Sequence, residues 1–330
     1  MRPRVFVTRV IPEAGLNRIR QEADCFVWPE RLPPTPDELI RHSQGCDGVL
    51  TLLSDRIDAA FFDAVGNQLK VVSNFAVGYN NIDVAEADRR GIAVGNTPGV
   101  LTESTADTAV ALLLAAARCL REGIDNVVRK EWLTWEPMGF IGQDLLGKTL
   151  GIVGMGRIGL ATARRLHFGW NMDVLYTARS PKTDAETELG ATRVDLDELL
   201  ERSDFVSIHT DLNPQTAGLF SGDVFRKMKS TAVLVNTARG GVVDPPALFE
   251  ALTTGQIFAA GLDVTDPEPL ADDSPLRELS NCVILPHIAS ATFASRNAIA
   301  EIAAENLLAG IQNRALQHGV NGSDFRRNPG

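Results

Sequence analysis

Three short apolar runs late in the chain each lead into a residue able to handle a carbonyl substrate. Val233-Leu234-Val235-Asn236-Thr237-Ala238-Arg239-Gly240 places Arg239 just past one of them. Ala260-Gly261-Leu262-Asp263-Val264 is followed by Asp266-Pro267-Glu268-Pro269, and Val283-Ile284-Leu285-Pro286-His287-Ile288 places His287 after the third. An arginine can hold a carboxylate and polarise the neighbouring carbonyl. A histidine can protonate the developing alkoxide, with a carboxylate to orient its ring. Each residue also has a plain reading: Arg239 as a surface turn, Glu268 as a solvated side chain, His287 as a buried and satisfied histidine. What favours the chemical reading is that all three follow strands, because ligands of open α/β sheets bind beyond the carboxyl ends of the strands.

The element that must supply the other reactant lies upstream, at Thr149-Leu150-Gly151-Ile152-Val153-Gly154-Met155-Gly156-Arg157-Ile158-Gly159-Leu160. A buried-strand pattern runs into three glycines spaced G-x-G-x-x-G and then a helical pattern. Gly154 permits the tight turn, Gly156 lets a pyrophosphate approach the main chain, and Gly159 lets helix and strand pack closely. The helix N-terminus then offers free N–H groups and the positive end of its dipole. The same glycines could serve a merely structural turn. Their place between strand and helix favours a dinucleotide.

Around these stretches the pattern predicts strands over 4–8, 25–28, 47–52, 69–73 and 92–94, and helices over 11–19, 36–44 and 83–90. Thr35 and Pro36 read as an N-cap and a first helical residue. A long helix over 101–121, apolar nearly all round, is expected to be buried between domains or subunits. An irregular arm over 131–147, carrying Trp132 and Trp135, leads to the glycine turn. Strands over 150–153, 172–176, 204–208, 232–236, 257–262 and 282–285 follow, with helices between them. An amphipathic helix over 292–310 and a frayed tail from Ser323 to Gly330 close the chain. Alternation of this kind predicts two doubly wound α/β units with parallel sheets. The cofactor unit is the second, the last helix returns to the first, and the cleft between them is the expected active site.

The bulk numbers agree with a two-domain globular protein: 330 residues, 44% hydrophobic and 22% charged. No apolar run is long enough for a bilayer, the first residues lack a signal-peptide core, and Cys25, Cys46, Cys119 and Cys282 lack metal-type spacing. The expectation is a cytoplasmic protein with reduced thiols, no bound metal and no membrane partner. A net charge of -10 argues against nucleic acid and gives weight to isolated arginines as anion sites.

One strand past the glycine turn, the residue expected to accept the ribose hydroxyls of NAD is missing. Met172 to Tyr176 ends in Thr177-Ala178-Arg179-Ser180-Pro181-Lys182, with no carboxylate between Val174 and Lys182. An arginine, a serine and a lysine suit a 2′-phosphate, so NADP(H) is expected as the preferred cofactor and NAD(H) as a weaker one. The alternative is a solvated basic loop.

Taken together these stretches resemble the D-isomer-specific 2-hydroxyacid dehydrogenases, over roughly 4–315, and most of all the glyoxylate/hydroxypyruvate reductase branch. Further marks are Asn74-Phe75-Ala76-Val77-Gly78-Tyr79-Asn80-Asn81-Ile82-Asp83 and Asn96-Thr97-Pro98-Gly99-Val100-Leu101-Thr102. The resemblance implies a flavodoxin-like substrate domain, 1–100 with 288–330, and a Rossmann cofactor domain, 101–287, inserted within it. It implies Arg239, Glu268 and His287 as the catalytic trio. Leu53, Val77, Gly78, Trp135, Arg239 and Ser290 would meet the substrate, Val77 and Gly78 through backbone N–H groups. Thr105, Gly154, Gly156, Arg157, Ile158, Gly159, Ala178, Arg179, Ser180, Asn213, Thr216, Thr237, Asp263 and His287 would meet the cofactor, Asp263 at the nicotinamide amide. It also implies a homodimer built on the helix and arm of about 101–147. Trp135 would then either reach the partner subunit's active site or simply pack in the interface.

Two positions depart from the family pattern. Asp211, in Ile208-His209-Thr210-Asp211-Leu212-Asn213-Pro214, stands where an uncharged residue is usual, and is expected to point away from the pyrophosphate. Ala289-Ser290 replaces a Gly-Ser. Arg157 could touch phosphate or be solvated. The resemblance makes NADPH-dependent reduction of glyoxylate and hydroxypyruvate, to glycolate and D-glycerate, the expected activity, with another small 2-oxo acid as the alternative. Phosphite oxidation is disfavoured because the 75–79 loop lacks a lysine, and phosphoglycerate oxidation because Ala178 is not acidic. A sensor without activity would not need the trio.

Overall fold

The computed structural model describes residues 2–322. The expected frayed tail, Ser323 to Gly330, lies outside the described residues. The chain divides into two compact units, one of residues up to Leu101 and from Ala291 onward, the other Thr102–Ser290.

In the first unit, β1 (Arg4–Val7), α1 (Glu13–Glu22), β2 (Asp24–Val27), α2 (Pro36–Ser43), β3 (Gly48–Thr51), α3 (Ala59–Val65), β4 (Val71–Asn74), α4 (Val84–Arg89) and β5 (Ala93–Gly95) alternate. The sheet is parallel with order β2-β1-β3-β4-β5, the flavodoxin-like order expected. All residues of β3 and β4 are buried, as a strand covered by helices on both faces requires. α2 starts as read: Thr35 and Glu38 form a capping box and Pro36 opens the helix. α1 starts two residues later than expected, because Pro12 holds extended backbone (ψ 140°) and acts as the cap. α3 has no counterpart among the expected helices; its apolar residues, Phe61, Phe62 and Val65, are too few to set a period, and Asp58 caps it.

The second unit opens with α5 (Thr102–Ala117) and α6 (Leu120–Val128). The single helix expected over 101–121 is therefore two: Cys119 takes a left-handed conformation (φ 52°), which ends one helix and starts another. The buried side of α5 is covered by its own unit, against α7 (Arg157–Trp170), β10 (Val233–Asn236) and β11 (Ala259–Leu262). The unit's other strands are β6 (Thr149–Val153), β7 (Asp173–Thr177), β8 (Thr192–Arg193), β9 (Phe205–Ile208) and β12 (Cys282–Ile284). β8, only two residues long, has no counterpart among the expected strands. This sheet too is parallel, with order β12-β11-β10-β9-β6-β7-β8. β6 lies between β7 and β9, so the chain reverses its winding direction where the glycine turn leaves the sheet.

The final helix, α12 (Phe293–Ile311), returns to the first unit and packs on α1, β3 and β4. It is not amphipathic as expected: eleven of its 19 residues are buried, including Asn306, which donates to the Asn96 carbonyl at 2.9 Å. A helix covered on several sides needs no polar face. Among the described residues the four cysteines are free, and no helix is long and apolar enough to cross a membrane.

Candidate active site

The three loops named from sequence meet at the carboxyl ends of β10, β11 and β12. His287 presents Nδ1 to the Glu268 carboxylate. The turn that makes this possible is left-handed at His287 (φ 54°), an uncommon conformation for a non-glycine residue. Asp263, fully buried at the end of β11, holds it there: Oδ1 accepts from the Ile288 amide at 2.7 Å and Oδ2 from the Ala289 amide at 2.8 Å. The His287 amide itself donates to the Asp263 carbonyl at 2.9 Å. Burial pushes the Asp263 carboxyl above the usual aspartate range, against the pull of those two amides.

Arg239 is placed by Asn236, which is buried at the end of β10. Its Oδ1 accepts from the Ala238 amide and its Nδ2 donates to the Arg239 carbonyl, both at 2.9 Å. Gly240 then brings this loop against the one carrying Glu268: a Cβ there would lie 1.9 Å from the Thr265 carbonyl oxygen. Burial draws the Arg239 guanidinium below the ordinary arginine value, while the Glu268 and Asp211 carboxylates favour its charge. It stays a cation, as arginine does in proteins. Asp211 is solvent-exposed, yet its field reaches Arg239. A partly buried cation, a histidine fastened at one nitrogen and a carboxylate are the parts that carbonyl reduction needs.

Comparison with known proteins bears on this arrangement. Residues 110–289 match the family model described as D-isomer specific 2-hydroxyacid dehydrogenase, NAD binding domain. The chain is 50% identical over 310 residues to the glyoxylate reductase of Korarchaeum cryptofilum, covering 94% of this chain and 93% of that one. The chain belongs to the D-isomer-specific 2-hydroxyacid dehydrogenases. It is also 46% identical over 322 residues to the human glyoxylate reductase/hydroxypyruvate reductase, covering 96% and 98%. Among solved structures, a protein from Thermus thermophilus superposes with a TM-score of 0.90 at 44% identity, covering 96% of this chain and 100% of that one. The NADPH-dependent glyoxylate/hydroxypyruvate reductase of Sinorhizobium meliloti, solved with NADP and malonate, gives 0.86 at 32% identity, with 99% of each chain covered.

The nicotinamide dinucleotide of this dehydrogenase family fits what the second unit leaves open. The N-terminus of α7 has no side-chain cap, so its first amides are not taken by the preceding residue. A Cβ on Gly156 would meet nothing within 4 Å, whereas one on Gly154 or Gly159 would strike backbone, the His209 carbonyl oxygen at 2.7 Å and the Gly154 carbonyl oxygen at 2.5 Å. Gly154 also sits at φ +99°, as its turn requires. Thr237 has a buried hydroxyl without a hydrogen-bond partner among the described residues. Thr105 is buried on α5, Ile158 and Ser290 are partly exposed, and Arg157 is exposed. At the end of β7, Ala178 is partly exposed while Arg179 and Ser180 are exposed. Asn213 and Thr216 are spent on their own loop: the Thr216 hydroxyl accepts from the Asn213 amide at 2.9 Å and donates to the Asp211 carbonyl at 2.6 Å.

The first unit of the dehydrogenase carries a second feature that sequence reasoning left without a mechanism. The carbonyls of three consecutive residues are all tied down: Ala76 by the Thr97 amide at 2.9 Å, Val77 by Asn96 Nδ2 at 2.7 Å, and Gly78 by Asn74 Nδ2 at 2.8 Å. With its oxygens so engaged, the backbone of this stretch is held in place. Asn81 extends the network, donating to the carbonyls of Leu52 and Asp55 at 3.0 Å each, and so fixes the turn holding the partly exposed Leu53. The three asparagines were visible as motif letters, but nothing local marked them as fasteners. Trp135, in the arm, is 80% exposed in the single chain.

Proposed function

We propose that the chain reduces glyoxylate and hydroxypyruvate to glycolate and D-glycerate with NADPH. The observation that carries this reading is the His287–Glu268 pair beside a partly buried Arg239. When bound, the dihydronicotinamide supplies the hydride that C2 of the 2-oxo acid receives. Arg239 grips the substrate carboxylate and polarises the carbonyl oxygen. Glu268 keeps Nδ1 occupied, so that Nε2, the other ring nitrogen, gives its proton to the oxygen as the C–O double bond becomes an alcohol. The Val77 and Gly78 amides are proposed as a further carboxylate holder, with Leu53 bounding the substrate and Asp263 taking the nicotinamide amide on its remaining lone pairs.

The choice of NADPH is supported by the exposed Arg179 and Ser180 and the partly exposed Lys182 where an acid would select NAD. The names of the relatives, glyoxylate reductases and an NADPH-dependent glyoxylate/hydroxypyruvate reductase, favour the same substrates. A homodimer is supported by the apolar face of α6, where Leu120, Ile124, Val127 and Val128 are all exposed at helical spacing beside the equally exposed Trp132 and Leu133. The test is a panel of 2-oxo acids run with each nicotinamide cofactor. The highest kcat/KM is expected for glyoxylate and hydroxypyruvate with NADPH. A strong preference for a bulky oxo acid, or equal rates with NADH, overturns the reading.

A further inference from the structure

We propose that Arg193, on the edge strand β8, is a positioning residue for cofactor choice: it clamps the turn that receives the 2′-phosphate. This rests on the NADP(H) reading above and deepens it. Neither motif nor spacing singles out Arg193, since β8 is only two residues long. The pairing of β8 with β7, which sets Arg193 opposite Tyr176, brings the side chain to the end of β7.

There its guanidinium reaches along the following turn. Nε donates to the Ala178 carbonyl at 3.1 Å, and Nη2 donates to the same oxygen at 2.9 Å and to the Arg179 carbonyl at 3.3 Å. Carbonyl oxygens beside an anion site are harmful, because each presents its negative end. Drawing two consecutive ones onto a guanidinium engages them elsewhere and places a fixed positive charge beside the backbone of Ala178 and Arg179. The far end of the turn is fastened separately: the buried Tyr176 hydroxyl accepts from the Lys182 amide at 2.8 Å and donates to Glu186 Oε1 at 2.5 Å. Between the two fasteners, the Arg179 and Ser180 side chains remain exposed. The turn is thus held ready before the phosphate arrives, and binding need not order it.

A mere staple would treat the two cofactors alike; a 2′-phosphate clamp does not. The experiment measures dissociation constants of NADPH and NADH for the full-length protein and for Arg193→Ala and Arg193→Lys, with melting curves to show that the exposed substitution leaves the fold intact. Arg193→Ala is expected to weaken NADPH by about 10-fold, the worth of hydrogen bonds from a charged donor, with NADH changed less than about twofold. Arg193→Lys keeps the charge but not the planar fork, and is expected to recover only part of the loss. Equal weakening of both cofactors, no change in either, or full recovery by lysine each overturns the clamp. If the unaltered protein itself binds NADH as tightly as NADPH, the cofactor reading falls and takes this inference with it. If it prefers NADPH and Arg193→Ala keeps that preference, only the role of Arg193 falls.

Discussion

The imidazole of His287 and the carboxylate of Glu268 are paired through Nδ1, although the residues are 19 positions apart and belong to different post-strand loops. The pair exists because Asp263 pins the turn after β12 while Gly240 lets the neighbouring loop close in. Glu268→Gln keeps the size of the side chain but can turn its amide NH2 group towards Nδ1. It is expected to lower kcat by about 10²-fold with the NADPH dissociation constant unchanged. Stopped-flow turnover beside cofactor titration checks this, and an unaltered kcat would show that the pairing has no catalytic part.

Gly240→Ala tests the loop contact. The added methyl would lie 1.9 Å from the Thr265 carbonyl oxygen, so the loops bearing Arg239 and Glu268 must part. A loss of about 1–3 kcal/mol in stability is expected, with a larger proportional loss in kcat/KM for the 2-oxo acid. Denaturant unfolding and steady-state rates measure the two. A variant as active as the parent would mean that the loops need not touch.

In the first unit, Asn74 donates to the Gly78 carbonyl at 2.8 Å and accepts from the Thr51 hydroxyl at 3.0 Å. Asn74→Ala frees the Gly78 carbonyl to turn and leaves buried groups unpaired, costing roughly 1–3 kcal/mol. The functional signature expected is a rise in KM for the 2-oxo acid with KM for NADPH held constant. If both constants rise together, the 76–78 stretch has no special tie to substrate.

His209 follows β9 beside the glycine turn, and its Nε2 lies 2.8 Å from Ser207 Oγ. The residue keeps some exposure, but the ring is enclosed by protein, and burial pushes the imidazole down to about 3. The folded value lies below that of the unfolded chain, so the unfolded chain binds the proton more readily between them. The stability linked to His209 is therefore complete above the ordinary histidine range and is lost as pH falls towards 3. By pH 4.5 the loss reaches at most roughly 2–3 kcal/mol. Melting temperatures across this range should fall less steeply in His209→Gln than in the parent, and parallel curves would refute the assignment.

The parts of this protein that sequence made visible are those whose chemistry is local. The glycine turn, the strands of both sheets other than the two-residue β8, and the residues Arg239, Glu268 and His287 announce themselves by residue type next to an apolar run. The fasteners do not. Asn236, Asn96 and Arg193 act on backbone carbonyls brought near by tertiary folding or by a turn, and an asparagine or arginine engaged in this way has no periodicity to betray it. The same limit hid the break at Cys119, since no glycine or proline between Thr102 and Arg121 marks a left-handed residue there. It also misjudged α12, whose burial depends on what packs around it.

The most direct test of the account is turnover of glyoxylate with NADPH by the parent protein and by His287→Ala, with the NADPH dissociation constant measured in both. The account predicts rapid oxidation of NADPH by the parent and a fall in kcat of at least about 10²-fold in the variant, with cofactor affinity unchanged. Undiminished turnover in His287→Ala, or a parent that oxidises NADPH with no 2-oxo acid at all, would contradict it.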